Sequence, residues 1–387
     1  MQSSEYPNFA ELIRNRRVLI TVGAGGVGKT TTAASVALAA ARSGRRVLCL
    51  TIDPAKRLAQ SLGLDRMTTE AAEISRDVLT RAGVPATGSL TVMMLDTKQT
   101  FDELVRKYSS SPERANALLH NRLYKYVSES LAGTQEYMAM EKLVAVQNDP
   151  RFDLVVLDTP PTANALDFLD APDRLVEALD SPTMRWFVEA FQSTGRFSLN
   201  VLARSAALVL KALGRITGGG FLEALAELLA QLNDLFGGFR ERATMVKSVL
   251  QSDHVAFVLV TSPAPMSIRE VLFFSERLVE HHMPRGALVI NRIHIPPAHA
   301  GASVDARAVQ DVLAMHGLPL DSDGPERILQ AHTDAKRLAD LDAQHLKLLD
   351  QHAALRMPVL RIPQFAADVH DTTMLVELAN LLMSGGV

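Results

Sequence analysis

Residues 23–31 have the types and the spacing needed to hold a chain of phosphates. The segment from Gly23 to Thr30 fits the pattern G-x-x-x-x-G-K-[ST], in which glycines let successive backbone N–H groups turn towards an anion. Lys29 would then bridge the β- and γ-phosphate oxygens, and the Thr30 hydroxyl would bind Mg²⁺. The nucleotide contacts predicted in this loop are Gly23, Ala24, Gly25, Gly26, Val27, Gly28, Lys29, Thr30 and Thr31.

The segments on either side of the loop are the ones that such a loop needs. Residues 18–22 form an apolar run typical of a buried strand, and residues 30–42 are rich in alanine and predict a helix. A strand before the loop and a helix after it are the context in which this motif binds a nucleotide. We therefore expect this segment to be a loop that binds ATP and Mg²⁺ rather than a glycine-rich turn without a ligand.

Two aspartates follow other apolar runs and would complete the site. Asp158 ends the run 154–157 in the arrangement of a Walker B strand, and its carboxylate would hold Mg²⁺ directly or through a water. Asp53 follows another run; it would orient or deprotonate the attacking water and reach Mg²⁺ through a water. From the residues alone, Asp53 is equally an N-cap for a helix that begins at Pro54, and the two roles are compatible.

Asn291 is the third polar residue that follows an apolar segment, Val289-Ile290. Its amide offers a donor and an acceptor, which suits the edge of adenine. An asparagine in a turn at the end of a strand is the alternative. Both interpretations are open from the residues alone.

These polar residues follow short apolar runs that are separated by helical segments. The runs are residues 18–22, 47–51, 90–95, 154–157, 255–260, 287–290 and 358–362. Because they are continuously apolar rather than alternating, they predict strands covered on both faces, in a doubly wound, mostly parallel α/β sheet. Such sheets bind ligands beyond the carboxyl ends of their strands, which is where the candidate residues are expected.

Three stretches do not follow the alternation of strand and helix. Residues 97–150 and 171–252 predict helices only, and we expect them to form a helical subdomain inserted into a single domain that spans residues 1–387. Residues 323–356 predict a helical segment before the last strand. The leucines and phenylalanines of 171–252 would either line an apolar groove or fill a helical core.

The composition excludes several classes of function. A formal net charge of -3 provides no basic face for nucleic acid. The single cysteine, Cys49, excludes an internal disulfide and a C-x-x-C zinc site, and we expect it to be a buried strand residue. Residues 1–17 lack the apolar core of a signal peptide, and the apolar stretch 199–213 is too short to span a bilayer. We therefore expect a cytoplasmic protein with no transmembrane segment.

Five blocks together resemble the ArsA/Get class of P-loop ATPases, which belongs to the SIMIBI group. They are GAGGVGKTT (23–31), TIDPAKRLAQSLG (51–63), LAGTQEYMAMEKL (131–143), DTPPTANALDFLDAP (158–172) and VINR (289–292). The resemblance covers nearly the whole chain. It is closest to the actinobacterial ArsA-like ATPases described as anion-transporting, which occur as paired, non-identical subunits.

The resemblance implies an ATPase whose dimers close around two ATP molecules and whose helical subdomain binds a hydrophobic client or a small effector. It implies that Asp53 is the switch I carboxylate that activates water and that Asp158 is the switch II carboxylate. Asn291 would read adenine. The segment with Pro363 and Phe365 resembles the loop that closes over the base.

One position in the loop departs from the family pattern. The family usually has a lysine where Ala24 stands, and that lysine neutralises charge on the phosphates of the other subunit. Loss of a comparable cation costs about 10³–10⁵ in rate. A homodimer would lack it at both sites, whereas a lysine-bearing ArsA-like paralogue would supply it to ATP bound in this chain. We therefore predict an asymmetric heterodimer; a homodimer in which another cation such as Arg57 substitutes is the alternative.

Other functions remain possible from the sequence. The single cysteine argues against an arsenite or antimonite site, and no acceptor-site signature indicates a metabolic kinase. A nucleotide-binding scaffold with weak hydrolysis is compatible with Ala24. A positioning ATPase of the partition or septum-site type is a further alternative, but residues 371–387 contain no Lys or Arg and predict a core helix rather than a basic membrane helix.

Overall fold

In the part of the chain that the structure describes, eight strands form one sheet, and all neighbouring strands run parallel except for one pair at an edge. The computed structural model describes residues 8–52, 59, 61–62, 64, 68–121, 124, 134–159, 169–171, 173, 177, 228, 241–297, 305–318, 323–350 and 357–386. The strands are β1 Val18–Gly23, β2 Arg46–Thr51, β3 Ala72–Glu73, β4 Ser89–Met94, β5 Leu154–Asp158, β6 Val255–Thr261, β7 Arg285–Ile293 and β8 Val359–Pro363. Their order in the sheet is β3-β4-β2-β5-β1-β6-β7-β8, and the antiparallel pair is β3 with β4.

All seven runs predicted as strands are strands, and their ends move by one to three residues. The largest difference is in β7, which continues through Asn291 to Ile293, so the expectation that Asn291 follows this strand is wrong. β3 was not predicted, because its two residues are too few to show a pattern.

The helices cover both faces of the sheet. They are α1 Phe9–Asn15, α2 Lys29–Arg42, α3 Arg76–Arg81, α4 Thr97–Tyr108, α5 Pro112–Leu119, α6 Thr134–Gln147, α7 with residues 241–250, α8 Pro265–Glu280, α9 Ala306–Met315, α10 Gly324–Asp350 and α11 Thr372–Ser384. Proline begins α5 and α8, where its fixed φ suits the first helical turn and its missing N–H costs nothing. Most of residues 171–252, the larger predicted helical insertion, lie outside the described residues.

Each buried strand contributes to two apolar cores, because successive side chains point to opposite faces of a sheet. On one face, strand residues such as Leu19 and Val156 pack with α1, α2 and α11. On the other face, residues such as Ile20 and Leu157 pack with α6, α7, α8 and α10. The helix that follows the phosphate loop therefore lies on one face, and the helices of residues 134–147 and 241–250 lie on the other.

A charged group is buried where α6 meets α7. The Tyr137 hydroxyl donates to Glu141 Oε1 at 2.6 Å, and Arg242 Nε donates to Glu141 Oε2 at 2.8 Å. Glu141 is 2% exposed, and burial together with this carboxylate raises the pKa of Tyr137. The three side chains therefore join α7 to α6, and α6 in turn packs on β5, the strand that ends in Asp158.

Cys49 lies in β2 and is completely buried, as predicted. Burial raises the pKa of its thiol, and the nearby Asp158 carboxylate adds to the shift. The thiolate is therefore strongly disfavoured, and the native side chain is chemically inert.

The last helix, α11, is a core helix, as its sequence predicted. It buries Leu375, Leu378 and Leu382 against the face that also carries α2. In the part of the chain that the structure describes, no helix has the length and the apolar character needed to cross a bilayer.

Candidate functional site: the phosphate loop and its neighbours

The loop of residues 23–31 joins the end of β1 to the start of α2 at the carboxyl edge of the sheet. Gly28 is the N-cap of α2 with φ 96°, a left-handed conformation that glycine adopts without strain. It has no side chain with which to cap the first turn. An uncapped helix start that carries the positive end of the helix dipole suits an anionic ligand.

Two glycines in the loop are required by close approach of other groups. A Cβ at Gly23 would lie 2.0 Å from the carbonyl oxygen of Val260 in β6. A Cβ at Gly28 would lie 2.3 Å from Nδ2 of Asn291 in β7. Both strands therefore support the loop from behind, and neither position accepts a side chain without movement of its neighbours.

Lys29 is buried within the loop that it is predicted to serve. Its side chain is largely covered, and Nζ donates to the carbonyl oxygen of Ala24 at 2.8 Å. The ammonium therefore crosses from the start of α2 to the beginning of the loop. Ala24 is itself 7% exposed and packs in the core beside Val27.

Asp158 is held at the carboxyl edge by hydroxyl groups. Its Oδ2 accepts from Thr30 Oγ1 at 2.7 Å and from Thr51 Oγ1 at 3.2 Å. Thr51 is the register partner of Asp158 in β2, and Thr21 is its partner in β1. The structure thus brings together Thr30 and Asp158, the two described residues that were predicted to bind the metal.

The hydrogen bonds of three threonines around Asp158 were not predicted from the sequence. Besides the contact of Thr51, Thr159 Oγ1 donates to the Thr21 carbonyl at 2.7 Å, and Thr21 Oγ1 donates to the Leu157 carbonyl at 3.2 Å. These bonds fix the backbone on both sides of the carboxylate. The available signal was a threonine at the last position of β2 and another two residues before the end of β1, but it has meaning only once the strand order is known.

Asn291 lies beside the phosphate loop rather than in a turn. Its side chain is 8% exposed, and Nδ2 donates to the Val27 carbonyl at 2.9 Å. Its Oδ1 accepts from the backbone N–H of Arg292 at 3.0 Å. The predicted contact with adenine is not tested by these bonds and stays a prediction.

The predicted base-closing segment begins at the end of β8, next to β7. The Gln364 backbone N–H donates to the Ile293 carbonyl at 2.8 Å, which joins this segment to the strand that carries Asn291. Pro363 is the last residue of β8, and Phe365 packs partly buried against the core beside α2. Asp53 and Arg57 lie outside the described residues.

The parallel sheet, the glycine loop after β1 and the aspartate at the end of β5 define a P-loop nucleotide-binding protein of the α/β class. The model of the anion-transporting ATPase family, ArsA, matches residues 16–311. Because this match covers most of the sequence, the chain belongs to the ArsA family of anion-transporting ATPases. The fold class and the family resemblance predicted from the sequence are thereby confirmed.

Curated relatives agree with this assignment. The chain is 26% identical to "ATPase GET3" of Malassezia globosa over 276 residues, which are 71% of this chain and 72% of that protein. It is 23% identical to "ATPase BagA" of Mycobacterium tuberculosis over 385 residues, which are 96% of this chain and 94% of that protein. The chain is an ATPase, and it hydrolyses ATP to ADP and phosphate.

Proposed function

We propose that the chain is an ATP-driven switch of the ArsA/Get class. It works as a dimer in the cytoplasm, and ATP binding closes the dimer so that the helical subdomain binds a hydrophobic client protein or a small effector. The observation that carries the proposal is the phosphate site, in which Lys29 spans the loop and Thr30 contacts Asp158. The proposed dimer and client are supported by the family resemblance alone, because most of the helical subdomain lies outside the described residues.

The oxygen donors in the site fit Mg²⁺. Thr30 offers a hydroxyl and Asp158 a carboxylate, 2.7 Å apart, and Mg²⁺ in phosphate sites is held by one or two such oxygens together with the phosphates. When bound, Mg²⁺ would neutralise charge on the β- and γ-phosphates. In the ATP-bound state Lys29 would exchange the Ala24 carbonyl for phosphate oxygens, which are stronger acceptors.

Hydrolysis itself would depend on Asp53. In this proposal Asp53 takes a proton from a water as the water oxygen forms a bond to the γ-phosphorus. The bond from the γ-phosphorus to the bridging oxygen breaks, and ADP leaves. Backbone N–H groups of the loop and Lys29 hold the phosphates in line during this step.

Replacement of Asp53 by asparagine tests this assignment. We expect Asp53→Asn to bind ATP with nearly unchanged affinity and to release phosphate about 10²–10⁴ times more slowly, because the base is lost and the size is retained. Asp334→Asn, at an exposed position on α10, makes the same chemical change and should hydrolyse ATP normally. Wild-type turnover in Asp53→Asn would remove Asp53 from the mechanism, whereas no binding or turnover in the wild-type protein would refute the proposed function.

We further propose that the working unit is an asymmetric pair with a lysine-bearing ArsA-like paralogue. The support is Ala24, whose methyl group provides no cation for a second subunit while Lys29, Thr30 and Asp158 are all present. Turnover per ATP site should rise by about 10³-fold or more when the paralogue from the same genome is added. Equal turnover for the chain alone and for the mixture would contradict this pairing.

The same measurement separates two other forms of the proposal. In a homodimer that uses Arg57 as its cation, mixing changes nothing and Arg57→Ala removes turnover. In a scaffold with weak hydrolysis, which Ala24 also favours, turnover stays low in the mixture as well. A positioning ATPase with a basic membrane helix has less support, because α11 contains neither Lys nor Arg and is buried in the core.

A further inference from the structure

Asn291 occupies a break in the pairing of β7 with β8. The register shifts between Ile290 and Ile293, and Arg292 between them has φ 63°. A residue other than glycine rarely adopts a positive φ, and surrounding contacts must maintain it. Asn291 supplies such a contact, because its Oδ1 accepts from the Arg292 N–H at 3.0 Å.

The orientation of the Asn291 amide is fixed by its two partners. Oδ1 faces an N–H donor, and Nδ2 lies 2.9 Å from the carbonyl oxygen of Val27. Rotation of the amide by 180° would set oxygen against oxygen and nitrogen against nitrogen, so both hydrogen bonds would be lost. The strand break therefore presents an N–H group to the back of the phosphate loop.

The carbonyl that accepts from Asn291 is that of Val27, which lies in the loop just before α2. Val27 comes two residues before Lys29, and its neighbour Gly28 is so close to the amide that a Cβ would lie 2.3 Å from Nδ2. A phosphate site needs N–H groups that point inward and carbonyl groups that point outward. By accepting from Asn291, the Val27 carbonyl is held on the side of the loop that faces β7.

We propose that Asn291 is a positioning residue of the phosphate site: its amide keeps the Val27 carbonyl turned away from the phosphates and so supports triphosphate binding independently of the base. This role rests on the proposed ATP site. It is separate from adenine recognition, which would use the second N–H of the same amide. A residue that only reads the base has no effect on a ligand that lacks one.

Inorganic tripolyphosphate with Mg²⁺ is therefore the decisive probe, with binding measured by isothermal titration calorimetry. Asn291→Ala should weaken tripolyphosphate binding by about 2- to 12-fold, the loss expected for one neutral hydrogen bond. ATP should weaken by at least the same factor. Asn380→Ala is the matched control, because Asn380 also bonds across elements, to Arg42 at the far end of α2, and should bind both ligands as the wild type does.

The outcomes distinguish this role from the alternatives. Unchanged tripolyphosphate affinity in a folded Asn291→Ala protein would overturn the proposal. If ATP affinity then falls, Asn291 only recognises the base. If only the thermal midpoint of unfolding falls, Asn291 only supports the strand break. A wild-type protein that binds ATP but not tripolyphosphate would overturn it as well. A wild-type protein that binds neither ligand would refute the proposed ATP site itself. If Asn291→Ala is not recovered folded, Asn291→Ser, whose hydroxyl is too short to reach Val27, should give the same loss.

Discussion

Lys29→Ala is expected to bind ATP at least about 10- to 150-fold more weakly than the wild type, the factor for one charge-assisted hydrogen bond, and to show no measurable turnover. The ammonium is buried inside the loop and bonded to the Ala24 carbonyl, so it is already within the site before ATP arrives. In the proposed site, its loss would leave the β- and γ-phosphates without their cation in both the ground state and the transition state. Titration with a fluorescent ATP analogue and a phosphate-release assay measure the two effects.

Two companion variants make this result specific. Lys347→Ala removes the same charge from an exposed position on α10 and should leave both measurements unchanged. Lys29→Arg keeps the charge but needs space for a larger, planar group in a covered position, so it should also lose turnover. Wild-type affinity and turnover in Lys29→Ala would show that the loop does not bind the phosphates as described.

The second large effect is on stability. Arg242→Ala should lower the free energy of unfolding by about 3–5 kcal/mol, because it leaves the buried Glu141 carboxylate without its cation while Tyr137 still donates to it. This loss is a large part of the total stability of a typical domain, about 5–15 kcal/mol. Equilibrium unfolding in urea would measure it.

Helix α7 offers a matched control for this variant. Lys247, five residues further along the same helix, bonds Asp173 at 2.8 Å, but the two side chains are 36% and 48% exposed. Lys247→Ala should therefore cost no more than about 1 kcal/mol. Equal losses for the two variants would show that burial of Glu141 does not increase the contribution of its ion pair.

The sequence predicted the strands well because parallel strands covered on both faces are continuously apolar, which distinguishes them from amphipathic helices. It also predicted the glycine-rich loop between β1 and α2, since the motif depends on residues adjacent in the chain; phosphate binding by this loop stays a prediction. It did not reveal that Thr51 bonds Asp158, because that contact requires β2 to lie beside β5 in the sheet.

The position of Asn291 is the main difference between the predicted and the observed site. Its cause is the local backbone rather than the order of the strands. Its neighbour Arg292 adopts a positive φ, and nothing in the types of these residues indicates a strand that continues through such a break. The bond to Val27 joins residues 264 positions apart, so no local pattern contains it. The role of Asp53 stays a prediction, because this residue lies outside the described part of the chain.

The inert thiol of Cys49 makes this protein suited to spectroscopic study of its motions. Since the chain has no other cysteine, a cysteine introduced at an exposed site such as Met266 or Met315 would be the single position that takes a dye or spin label in the native state. Two such labels, one on each subunit of the proposed dimer, would report the distance between the subunits without background from Cys49. The proposed opening and closing of the subunits during each ATP cycle could then be tested in real time, with the native interior left unmodified.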